Sequence, residues 1–127
     1  MQSNSVIRFS DIAPEVTSQH PDEANRIKGN PLRIAREYFA NDTHGVRAGT
    51  WEAGEGIYRI ALGADKHELF HILTGRVIIS DPDGGNPRQF LAGDTGVIPP
   101  GFKGIFEIVE AASKFWVVTE LKDSATV

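Results

Sequence analysis

Hydrophobic and polar positions alternate with a period of two along most of this chain. In Glu68-Leu69-Phe70-His71-Ile72, one side carries Glu68, Phe70 and Ile72 and the other Leu69 and His71. Similar strand-like runs occupy 45–52, 57–62, 76–80, 88–91, 96–98, 104–109 and 114–121. Turn residues separate them: Asp81-Pro82-Asp83-Gly84-Gly85, Ala92-Gly93-Asp94 and Pro99-Pro100-Gly101. A bend is expected at Gly75 and a turn at Ala111-Ala112-Ser113. Residues 32–39 leave strand and short helix open. About nine or ten short strands, with no alternation of strand and long helix, predict an all-β sandwich or barrel.

Residues 1–31 read as an N-terminal arm that either crosses a partner subunit or stays poorly ordered. Within it, 6–9 suits a short strand and 21–27 a short helix, with Asp22 and Glu23 in its first turn. Residues 32–122 are expected to form the barrel and 123–127 a frayed tail. The 127 residues fit one domain.

One stretch matches a metalloprotease signature, His67-Glu68-x-x-His71. That chemistry needs a helix, so that both imidazoles reach one Zn²⁺. Gly63, Gly75 and the β-branched Val77-Ile78-Ile79 argue for strand instead. On a strand the two His lie roughly 13 Å apart, too far for one metal, and Glu68 faces the other way.

Composition narrows the function classes. A net charge of −4 argues against a nucleic-acid surface. The absence of cysteine excludes disulfides and thiolate metal sites and points to the cytoplasm. Neither a signal-peptide pattern nor a membrane-length apolar run is present, so no membrane partner is expected.

Two motifs carry a family resemblance. The first is Glu68-Leu69-Phe70-His71-Ile72-Leu73-Thr74-Gly75-Arg76-Val77. The second is Gly93-Asp94-Thr95-Gly96-Val97-Ile98-Pro99-Pro100-Gly101-Phe102-Lys103-Gly104. Together with Gly49-Thr50-Trp51-Glu52 and Lys114-Phe115-Trp116-Val117, they resemble the small cupins of the ureidoglycine aminohydrolase-type and ethanolamine-utilisation-type branch. The resemblance covers roughly residues 45–121. It implies a double-stranded β-helix (jelly-roll) barrel with a ligand cavity and a homodimer. It also implies metal-ligand positions that this chain does not fill. The paired His positions fall on Leu62 and Ala64, or on Ala61 and Gly63. The second-motif His falls on Gly104, and only Glu68 remains. No cofactor is therefore predicted, and a divalent metal is disfavoured.

Glu68 is the expected catalytic residue. A carboxylate inside an apolar barrel must pair, hydrogen-bond or protonate, and such a group suits acid–base chemistry. Trp51, Tyr58, Ile60, Leu62, Phe70, Phe106 and Trp116 are candidate cavity walls. Arg59 and Lys103 are candidates for holding a ligand anion, and His71 is a further candidate contact. His67 and His44 read as solvated positions. Asp94 is expected to fix its turn through backbone N–H groups. The leading expectation is a small-molecule-binding cupin, enzymatic without metal through Glu68 on a small polar metabolite. The alternatives are a non-catalytic ligand-binding or regulatory module, or a metal enzyme joining Glu68 to His67, His71 or His44.

Overall fold

The alternating pattern is realised as nine strands in the computed structural model, which describes residues 4–121. They are β1 (Glu15–Gln19), β2 (Arg26–Lys28), β3 (Arg33–Asn41), β4 (Val46–Ala53), β5 (Gly56–Ala61), β6 (Lys66–Ser80), β7 (Arg88–Leu91), β8 (Thr95–Ile98) and β9 (Lys103–Glu120). The open choice over 32–39 resolves to strand. The protease signature lies in β6, so it has no helix on which to bind zinc.

Two strands organise the rest. β6 has 15 residues and β9 has 18, and they pair antiparallel from Lys66 opposite Glu120 to Ser80 opposite Ile105. Each was expected as two shorter strands, broken at Gly75 and at 111–113. The ladder instead continues through both places, with register shifts between Ile72 and Val77. Such bulges bend a strand without ending it. Gly75 sits at the bend with φ of 83°, and a Cβ there would lie 2.2 Å from the Ala111 carbonyl oxygen.

The bend divides the sheet into two facing layers. In the first, β1, β3 and β4 lead to the C-terminal half of β9, which pairs with the N-terminal half of β6 and so reaches β8. In the second, β2 and β5 lead to the N-terminal half of β9, which pairs with the C-terminal half of β6 and so reaches β7. Inward residues from both layers fill the space between them. Phe70, Ile72, Val77 and Ile108 are almost wholly buried, with Tyr58 and Phe106 beside them.

The segment expected as an arm contributes β1 to the first layer and β2 to the second. Residues 6–9 form no strand; a 3₁₀ turn spans Phe9–Asp11, and the Phe9 ring stacks on Tyr38 at 4.7 Å. A second 3₁₀ turn spans Glu23–Asn25, inside the expected short helix. The tail expected over 123–127 lies outside the described residues.

Gly75→Ala should lower stability by about 2 kcal/mol or more, because left-handed backbone and contact with the Ala111 carbonyl both oppose a Cβ. Urea unfolding measures this; an unchanged midpoint would show that the β6 bend does not depend on glycine.

Candidate functional site

The inner face of β6 carries Glu68, and the inner face of β9 carries Lys114 between Ala112 and Trp116. Lys114 stands opposite Trp51 of β4 and Ile72 of β6. Its ammonium reaches along the barrel wall and donates to Glu68 Oε2 at 2.8 Å. Lys114 is only 6% exposed, so its charge needs that partner. Three rings also surround it: Trp51 at 4.8 Å, Phe70 at 5.3 Å and Phe106 at 5.3 Å from Nζ. Their faces attract a cation and shield it from water.

This pair borders a cavity of about 330 Å³, at the lower end of small-molecule sites. Trp51, Tyr58, Phe106 and Trp116 form aromatic walls; Ile60, Leu62 and Ile98 supply aliphatic ones. Trp116 is fixed by its indole N–H, which donates to the Thr50 carbonyl at 2.9 Å. Glu68 Oε1 has no hydrogen-bond partner among the described residues and is free to accept from a ligand. Arg33 enters from β3, its guanidinium 5.1 Å from the centre of the Tyr58 ring.

Tyr58 is buried, and burial pushes its hydroxyl up to about 12; Arg33 pulls it down and the Glu68 charge pushes it further up. At neutral pH it is a neutral hydrogen-bond donor and acceptor.

Trp51, Tyr58, Ile60, Leu62, Glu68, Phe106 and Trp116 line one cavity. Other candidates lie elsewhere. Phe70 lies behind Lys114 and lines a separate cleft of about 400 Å³ with Phe90, Phe102 and Arg88. His71 projects from the outer face of β6, where Nδ1 meets Thr95 Oγ1 at 2.8 Å. Lys103 and Arg59 are exposed and do not line the cavity, because each alternates with inward neighbours: Gly104 for one, Tyr58 and Ile60 for the other. Asp94 does fix its turn, accepting from the Leu91 N–H at 2.8 Å. Sequence reasoning missed Lys114 and Arg33. The signal for Lys114 was its period-two spacing from Trp116 and Val118.

The donor set does not fit a divalent metal. Leu62 and Ala64, or Ala61 and Gly63 at the other spacing, offer no side-chain ligand atoms, nor does Gly104, and Glu68 already holds an ammonium ion. A side chain at 104 has no room: a Cβ would lie 2.2 Å from the Ser80 carbonyl oxygen. Among the described residues no three His, Cys, Asp or Glu side chains gather as a metal site. His67 and His71 share the face of β6 opposite to Glu68.

Lys114→Met should destabilise the fold by about 3 kcal/mol, since it strands a largely buried carboxylate. Combining it with Glu68→Leu should regain most of that loss, and equal losses in the single and double variants would contradict the coupling. The Tyr58 hydroxyl should also imprint a pH dependence. The folded group titrates near 12 and the unfolded group near 10, so the folded state holds the proton longer. Stability relative to Tyr58→Phe should be level below pH 10, then fall by up to about 3 kcal/mol towards pH 12. A difference that stays flat across that window would remove the shift.

A family model described as the EutQ-like cupin domain matches residues 41–116. A Pseudomonas syringae pv. tomato protein of unknown function, of the DUF861 family, is 25% identical with a TM-score of 0.69. The match covers 83% of this chain but 44% of that one, so this chain spans less than half of that protein's length. The Clostridium difficile EutQ protein is 21% identical with a TM-score of 0.60, covering 80% of each chain. The cupin domain of Schizosaccharomyces pombe Cnp3 shares the fold at 12% identity and a TM-score of 0.59, over 70% of this chain and 61% of that one. No curated protein matches the sequence. The nine-stranded curled sheet is accordingly a cupin jelly-roll barrel, and the chain belongs to the EutQ-like cupin family.

Proposed function

We propose that this cupin binds a small polar metabolite in the Glu68 cavity and acts on it without a metal, with Glu68 as the acid–base group. The observation that carries this reading is the Glu68–Lys114 pair at the wall of an aromatic cavity. Lys114 supplies a fixed positive charge beside the one carboxylate that the family's ligand pattern leaves in this chain. Its bond to Oε2 orients the carboxylate and leaves Oε1 to receive a proton or hydrogen bond from a ligand. Low exposure of the pair strengthens that contact, because little water competes for it.

A second reading, a non-catalytic ligand-binding or regulatory module, draws on the same pair. The Glu68 charge is already compensated by Lys114, so the pair has a structural role without any turnover. Two copies would pair through the outer face of the first layer, which exposes Leu69, Val97 and Phe115. A cysteine-free chain suits a reducing cytoplasm, and among the described residues no helix is long and apolar enough to cross a membrane.

Both tryptophans of the chain line the cavity, so their indole N–H resonances report its occupancy. In a panel of small acids, amines, amides and polyols, a ligand should move both signals. Glu68→Gln should weaken its binding about tenfold or more and stop any conversion seen in the same spectra. Conversion without the carboxylate would remove Glu68 from the chemistry. A ligand that binds and is never consumed by the wild type would select the non-catalytic reading.

A further inference from the structure

The cavity's charges are not balanced. Its titratable lining is Arg33, Tyr58, Glu68 and Lys114. Tyr58 is neutral, so two cations face one carboxylate. Lys114 is already paired with Glu68 and lies over three ring faces, so its charge is compensated within the barrel. Arg33 is different. Its Nε donates to the Gln19 carbonyl at 3.3 Å and its Nη2 to the His20 carbonyl at 3.1 Å. Those contacts are neutral, and among the described residues no carboxylate pairs with this guanidinium. The two backbone carbonyls and the Tyr58 ring fix its plane, and a planar fork held still is suited to a carboxylate.

We propose that the ligand is a small organic monoanion, its carboxylate held by Arg33 and the Tyr58 hydroxyl and a donor at its other end held by Glu68 Oε1. This rests on the Glu68 cavity being the binding site and names what that cavity selects. One unpaired positive charge matches a monoanion better than a phosphate dianion. The aromatic walls suit the carbon part of the molecule.

The family model matches residues 41–116, and Arg33 lies before them on β3. The carbonyls that orient it belong to Gln19 and His20, at the end of β1 and just beyond it. The segment that ends in β3 therefore delivers the charge that chooses the ligand, while β5, β6 and β9 deliver Tyr58, Glu68 and Lys114.

The test compares matched pairs on the full chain: propionate with propionamide, lactate with lactamide, benzoate with benzamide, and inorganic phosphate alone. Indole N–H shifts give each dissociation constant. The wild type should bind at least one carboxylate about tenfold more tightly than its amide, and more tightly than phosphate. Arg33→Met should bring that ratio to about one while the amide still binds, and Arg33→Lys should keep part of it. An Arg33 that is only a strut would weaken acid and amide alike and leave the ratio untouched, which would overturn the proposal. Phosphate binding more tightly than every carboxylate would overturn it too. An amide, amine or polyol that binds better than any acid, and loses affinity in Glu68→Gln, would end this proposal and leave the cavity reading standing. If no probe moves the indole signals, both fall together.

Discussion

The site depends on one ion pair. Burying Lys114 inside an apolar barrel is unfavourable unless an opposite charge meets it, and Glu68 is the carboxylate within reach at 2.8 Å. The pair constrains sequence on both sides. It requires β6 and β9 to present period-two positions to the same interior, and it requires ring faces around the ammonium where water would otherwise enter. A buried pair of this kind is weak evidence for stability as such, because well-packed hydrophobic residues would hold the wall equally well.

The cupin resemblance puts imidazole positions at Leu62 and Ala64, or at Ala61 and Gly63, and at Gly104 in this chain. The replacements form a consistent set. Leu62 becomes cavity wall, and Gly104 lets the strand run against the Ser80 carbonyl with no space for a side chain. Lys114 places a positive charge beside Glu68 on the remaining wall. The cation next to the glutamate in this barrel is a side chain.

Much of this was legible in the sequence. Alternation placed Glu68, Phe70 and Ile72 inward on β6, while Trp51, Tyr58 and Phe106 were wall candidates for their aromatic character alone. The protease signature failed for a local reason, since Gly75 and the β-branched run after it belong to a strand. Lys114 was harder to see because a lysine at the start of an apolar run resembles a solvated strand end. Only its spacing from Trp116 marks it as inward. Arg33 was out of reach: it meets Tyr58 across the barrel, a contact set by how the two layers close rather than by any local pattern. The continuous β6 and β9 were hidden for a related reason, because bulges and strand ends use the same glycine and alanine signals.

The central claim is that the Lys114 ammonium lies in an aromatic cage against Glu68. The ε-methylene ¹H and ¹³C resonances of Lys114, compared with those of the exposed lysines, test it most directly. Ring currents from Trp51, Phe70 and Phe106 should move its methylene protons well away from the exposed-lysine position. Its ammonium protons should exchange slowly enough to show contact with the Glu68 side chain. A Lys114 methylene at the exposed-lysine position, with rapidly exchanging ammonium protons, would place that charge in water and contradict the account.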